Sequence, residues 1–409
     1  MTQRVLRPFD PLDFSAADVA DPYPIYRHYR EKDPVHRGRT SLDGRATWYV
    51  FRYDDVTRVL SHPHYGHEAA RFLPGIPLEC ETLRRMVGNW LVFMDPPRHG
   101  QLRSLLAASF SARAVAELRS RMVEIAHDLI ADIGQRPTLD LVDDFAAPLP
   151  VLVISELLGT GRDNRTWLRE RALSLQEASS GRARDYRQAE TAATALTDFF
   201  RWEARRRRRD PTDDLITALV KAGECGSLTD DEIIATCVHL LTAGHETTTN
   251  LIAKSVLALL RNPGALGELR AHPELLPSTV DELVRYDCPV QMVTRWAYQD
   301  DVLRGRDIRE GDDVVLVLGS ANRDPLVFTA PDELRPRRRS GRHCGFGGGI
   351  HRCLGAALAR AEAEIAIAVL FECLPGLRLT DVPVQFAEDM VFHGPRHLVL
   401  GTCGGSADV

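Results

Sequence analysis

Ten residues, Phe346-Gly-Gly-Gly-Ile-His-Arg-Cys353-Leu-Gly355, most narrowly limit what this chain can fold into. They carry one cysteine in a glycine-rich loop. The run that follows, Ala356 to Glu364, consists of strong helix formers, so the sulfur is delivered to a helix N-terminus. Free amides and the positive end of the macrodipole favour a thiolate there. The glycines permit φ > 0 and leave room for a large flat ligand against the backbone. Competing readings fail on spacing. A G-x-G-x-x-G nucleotide loop needs glycine where Ile350 stands, and no strand precedes it. A zinc site from Cys344 and Cys353 needs two to four residues between them, not eight. Cys344 reads as an ordinary buried thiol. A lone thiolate presented like Cys353 suits the axial position of a haem iron, where sulfur favours O–O cleavage.

A second constellation lies in a long helix. Thr229 and Glu232 form a capping box, and the run continues to Arg261 before Asn262-Pro263, which predicts about 32 residues and roughly 48 Å of helix. Within it stands Ala243-Gly244-His245-Glu246-Thr247-Thr248. The zinc pattern H-E-x-x-H fails because Thr249 occupies the second histidine position. A mid-helix threonine can turn its hydroxyl onto a carbonyl one turn back, and Gly244 weakens the ladder, so a local opening for water or dioxygen is expected. A third motif, Glu282-Leu-Val-Arg285, puts opposite charges on one helix face.

Phe346 to Gly355 matches the pattern Phe-x-x-Gly-x-His-x-Cys-x-Gly at each fixed position, and the chain resembles the cytochrome P450 haem-thiolate monooxygenases from Asp21-Pro-Tyr-Pro to its C-terminal strands. The resemblance implies a mainly α cytochrome P450 fold with a small β-rich lobe, as a single domain over 1–409. It implies haem b held between the long helix and the loop, with Cys353 as iron ligand. Ala243, Gly244, Phe346 and Gly347 would lie against the cofactor. His99 and Arg103, Arg295, and His351 match the usual propionate contacts. Glu246 would be the proton-relay acid, and Thr247 the hydroxyl that positions the oxygen being activated. Glu282 and Arg285 would form a buried structural ion pair. Its usual third arginine is displaced, because Pro331-Asp-Glu-Leu334 lacks the family's Phe and Arg, which leaves Arg335 or Arg338.

The implied reaction is oxygenation of an unactivated C–H or C=C bond in a natural-product small molecule. Oxidative cyclisation or coupling is the alternative, and a non-catalytic haem sensor a distant one. The chain has no flavin or iron–sulfur segment, so electrons would come from a separate ferredoxin and its reductase. Arg98, Arg342, Arg352 and Arg360 flank the elements that hold the cysteine and would suit an acidic donor. On the long helix His239, Thr242, Ala243 and Thr247 recur at i, i+3, i+4 and i+8 on one face. The family usually has aliphatic residues at the first two positions. Polar groups there predict a substrate with a hydrogen-bonding group, and Val290, Met292, Val293 and Phe392 would supply the apolar remainder.

Composition fits this reading. The chain has 409 residues, 44% hydrophobic and 26% charged, with net charge −6, which disfavours nucleic acid as a partner. Eight cysteines without a paired framework suit a reducing cytoplasm. No 18-residue apolar run predicts a membrane span, and a monomer is expected. β-rich stretches are expected near 45–52, 290–318 and 385–401, helices over about 100–285 and 354–372, and loop over 63–90. The run Arg205 to Arg209 reads as a solvated helix end.

Overall fold

A computed structural model describes residues 9–40, 45–69, 73–161, 164–179, 186–339 and 341–402. Cys403 lies outside the described residues. The chain forms two compact units, each assembled from separate stretches: Met1–Gly66, Leu257–Cys353 and Val384–Arg396 in the first, and His67–Val256, Leu354–Pro383 and His397–Val409 in the second.

The first unit is built on a five-stranded sheet, in the order Val35–Thr40, Ala46–Val50, Asp313–Val317, Met292–Ala297, Tyr65–Gly66. Only the pairing of Ala46–Val50 with Asp313–Val317 is parallel. Ala46, Trp48 and Val50 are buried while Thr47 and Tyr49 are partly exposed, the period of two expected of a strand with one packed face. That face joins Val56, Val59 and Leu60 of helix Tyr53–Ser61 in one apolar cluster. Asp312 pins the sheet by accepting from the backbone N–H of Ala46 at 3.1 Å and from Trp48 Nε1 at 2.8 Å. A second cluster gathers Phe9, Tyr26, Tyr29, Phe51 and Met292.

The charge network of this unit is closed by a residue that sequence reasoning left open. Glu282 and Arg285, both without solvent contact, pair through Nε–Oε2 at 2.7 Å and Nη2–Oε1 at 2.9 Å. Arg338 Nε donates to Glu282 Oε1 at 2.9 Å. Arg335 offers only its backbone N–H to the same oxygen, at 3.1 Å, while its guanidinium pairs with Glu333. The departing segment Pro331-Asp-Glu-Leu334 still joins the network, because the carbonyls of Pro331 and Glu333 accept from Arg285.

In the second unit helix Ala112–Ile133 packs against Pro148–Leu158 and Ala356–Cys373, and Arg165–Ser179 lies beside Tyr186–Arg209. Strands Thr138–Asp140, Val399–Gly401 and Arg378–Leu379 form a small antiparallel sheet. The long helix runs unbroken over Asp230–Arg261, opened by the expected box: Thr229 N–H donates to Glu232 Oε2 at 2.8 Å and Glu232 N–H to Thr229 Oγ1 at 3.3 Å. The expected local opening at Gly244 is therefore not a break in the helix.

Two expectations need correction here. The arginine run is not simply solvated: Arg207 is buried, donating to Glu203 Oε2 at 2.5 Å and Asp214 Oδ2 at 2.7 Å. Arg208 pairs with Asp230, and Arg206 with Glu203. The 63–90 stretch, expected as loop, contains helix Glu81–Gly88, which buries Leu83, Met86 and Val87. Its cap is tertiary, since the Glu190 carboxylate accepts from the N–H groups of Thr82 at 3.0 Å and Leu83 at 2.8 Å. No local pattern could announce a cap over a hundred residues away.

Breaking one partner of a buried ion network leaves an uncompensated charge and costs about 3–5 kcal/mol, whereas an exposed pair contributes under about 1 kcal/mol. Urea melts of Arg338→Ala are accordingly expected to show a loss in the first range, and those of Arg335→Ala a loss in the second.

Candidate functional site

The cysteine loop is held from within and from below. Gly347 N–H donates to the Cys344 carbonyl at 2.8 Å, and Cys353 N–H to the Phe346 carbonyl at 2.9 Å, so the ring of backbone closes on itself. Gly349 has φ +62°, and a Cβ there would stand 2.2 Å from the Leu60 carbonyl oxygen, so only glycine fits. Cys344 is buried, its N–H donates to Asn322 Oδ1 at 2.6 Å, and burial pushes its thiol up to about 12. Cys288 is buried too, whereas Cys353 is exposed, and the chain enters helix Ala356–Cys373 three residues later. An accessible sulfur on a glycine-rich backbone loop fits a haem iron as its thiolate ligand. Phe346, Gly347 and His351 of the same loop are partly exposed.

Other expected residues in this unit fall on the sheet. Arg295 is buried in strand Met292–Ala297 and its Nη1 donates to the Thr294 carbonyl at 2.8 Å. Val293 is partly exposed, and Val290 and Phe392 face each other across a β-bridge. Met292 departs from expectation: it is buried in the apolar cluster with Phe9 and Tyr26.

In the second unit, helix Arg98–Ala107 carries a buried His99 and, one turn on, a partly exposed Arg103. Arg98 is not free for a partner, because its Nε donates to Glu232 at 2.6 Å and its Nη2 to the Ser227 carbonyl at 3.2 Å. Burial would raise the Glu232 carboxyl, but the Thr229 N–H and the Arg98 guanidinium outweigh it and hold it low.

The middle of the long helix is buried except along one stripe. Leu240, Leu241, His245, Thr248 and Thr249 are covered, while His239, Ala243, Gly244, Glu246 and Thr247 are accessible. Thr247 Oγ1 donates to the Ala243 carbonyl at 2.8 Å. With its proton tied to that carbonyl, the hydroxyl offers only lone pairs to whatever lies beyond. Thr242 departs from expectation, because it is buried and its hydroxyl is spent on the Val238 carbonyl at 2.8 Å. His239 stands in the stripe, its ring stacked on Trp90 at 5.1 Å and 13°, and burial lowers it to about 4. His245 points away from the stripe. Burial, helped by the charge of Arg169, lowers it to about 3, and neither ring nitrogen has a hydrogen-bond partner among the described residues.

A glycine-rich loop with an exposed cysteine, and a helix with Glu246 and Thr247 on an accessible stripe, are the residue types expected of a haem-thiolate oxygenase. The chain matches the cytochrome P450 family over residues 174–374. It is 39% identical to the mycinamicin IV hydroxylase/epoxidase of Micromonospora griseorubida, covering 91% of this chain and 94% of that one. The structure of CalO2 superposes with a TM-score of 0.90 at 33% identity, over 97% of this chain and 99% of the other. That of CxnD, a cytochrome P450 for C–S bond formation in chuangxinmycin biosynthesis, does so with 0.85 at 32% identity, over 93% and 94%. The chain belongs to the cytochrome P450 family and is a monooxygenase of that family. The family implies a haem iron. No helix among the described residues is long and apolar enough to cross a membrane.

The two depressed histidines set an acid limit on stability. Both are neutral when folded, while the unfolded chain takes up protons below 6.5, so stability is lost as pH falls from there towards the folded values of about 4 and about 3. Each group contributes a slope of up to about 1.4 kcal/mol per pH unit. Urea melts between pH 7 and 4 are expected to register that loss, and His245→Phe to flatten it.

Proposed function

We propose that this protein binds haem b through Cys353 and oxygenates, by hydroxylation or epoxidation, a natural-product small molecule with a hydrogen-bonding group. The observation that carries the reading is the exposed Cys353 sulfur in a loop whose geometry only glycine allows. The similarity to a mycinamicin IV hydroxylase/epoxidase and to a cytochrome P450 of chuangxinmycin biosynthesis supports the substrate class. His99, Arg103, Arg295 and His351 would hold the propionates.

Bound haem supplies the activation of dioxygen, and the chain supplies the protons and the positions. Glu246, partly exposed on the open stripe, carries protons from outside into a site otherwise kept dry. Thr247 Oγ1, its own proton committed to the Ala243 carbonyl, would offer only lone pairs and so would accept from a donor at the reacting end. Cys353 supplies negative charge through sulfur. Electrons would come from a separate ferredoxin and reductase. Arg342, just before the loop, and Arg352, within it beside Cys353, are both exposed in the first unit and suit an acidic donor.

Reduced, CO-bound protein is expected to absorb at the position diagnostic of a thiolate-ligated haem. Cys353→Ala should lose that band and Cys344→Ala keep it; loss of the band in Cys344→Ala alone would overturn the assignment. Glu246→Gln and Thr247→Ala are expected to retain haem and ligand affinity while product formation slows by about 10²–10⁴-fold and electrons go to peroxide.

Oxidative coupling is the second reading, favoured by the similarity to CxnD. Product mass separates the two: a gain of one oxygen atom against a loss of two hydrogens.

A further inference from the structure

The stripe on the long helix ends in an arrangement the proposed reaction does not use. Trp90, which starts the 3-10 turn Leu91–Phe93, is buried at 3% exposure, and its indole Nε1–H has no hydrogen-bond partner among the described residues. Leaving a buried donor unmet costs free energy, so such groups usually mark a bound water or a ligand. One face of the indole carries the His239 imidazole, stacked at 5.1 Å, and Phe93 lies parallel to it at 6.3 Å. The His239 ring is held by this stack, makes no hydrogen bond to a described residue, and stands in the same open stripe as Ala243 and Thr247.

The chemistry of the pair selects its ligand. An indole N–H only donates, and a neutral imidazole donates at one nitrogen and accepts at the other. Burial alone keeps His239 neutral above about pH 4, with no charged group contributing. A carboxylate would therefore find no cation here and would be costly to desolvate. An amide fits, since its carbonyl can accept from Trp90 while its N–H donates to the free imidazole nitrogen. The spacing also selects a length. His239 and Thr247 are eight residues apart on one helix, hence about 12 Å along its axis.

We propose that Trp90 and His239 form a two-point anchor for a neutral amide or lactam group of the substrate, set about 12 Å along the helix from the reacting end at Thr247. This rests on the oxygenase reading above and goes further, to substrate class and reach. It makes Trp90 and His239 specificity-determining residues, not catalytic ones.

The test uses the haem-loaded protein and two probes, dodecanamide and N,N-dimethyldodecanamide, with binding measured by calorimetry. Wild type is expected to bind dodecanamide the more tightly, because only it can donate to His239. Trp90→Phe keeps the ring stack but removes the donor, and is expected to weaken both amides by about tenfold. His239→Phe is expected to weaken dodecanamide alone, to the level of the dimethyl amide. Failure of wild type to bind dodecanamide, or affinities unmoved by both substitutions, overturns the proposal. The CO-difference spectrum of the same samples keeps the two readings apart. A thiolate band with unmoved amide affinities sinks only the anchor, and its absence in wild type sinks the oxygenase reading.

Discussion

The carboxylate of Glu282, buried without solvent contact, is the interaction on which the cysteine loop depends. It is compensated by two guanidiniums and one backbone N–H, and Arg285 spends its remaining donors on the carbonyls of Asn322, Pro331 and Glu333. Asn322 passes the order onward, because its side-chain oxygen takes the Cys344 N–H, and the Cys344 carbonyl takes that of Gly347. Three links thus connect a buried ion network to the loop that presents Cys353. Such a network is weak evidence for net stability, but its geometry is demanding. The proposed role of Cys353 as a thiolate ligand would need that demand, since a flexible loop would misplace the sulfur.

The long helix solves a different problem. It must stay rigid and yet offer polar groups on one side. Threonines back-bond to carbonyls at 242, 247 and 249, so hydroxyls that would otherwise compete with the helix are absorbed by it. Of these, only Thr247 lies in the open stripe with its lone pairs outward. His245 and His239 take opposite fates six residues apart. One is sealed in the interior as a neutral ring, and the other is clamped on Trp90 at the edge of the open stripe.

Much of this was legible in sequence because it is local. The Thr229–Glu232 box, the glycine-framed Cys353, the strand at Trp48 and the acid–alcohol pair all rest on spacing of a few residues, where backbone geometry leaves little choice. The sheet of the first unit was legible as β-rich stretches but not as an order, since Ala46–Val50 finds its parallel partner more than 260 residues later.

What the sequence determined by itself is therefore the local inventory: one exposed thiol in a glycine-rich loop, and one acid next to one alcohol on a long helix. Tertiary structure alone decided which arginine completes the Glu282 network. It also decided that Glu190 would cap helix Glu81–Gly88, that Arg207 would leave solvent for Glu203 and Asp214, that Met292 would turn into the core, and that Trp90 would lie on His239. Four of the five depend on a partner distant in the chain, and Arg207 on the burial that its near neighbours Glu203 and Asp214 share. A side chain's charge or ring says what it needs without saying what will cover it or which segment will supply it.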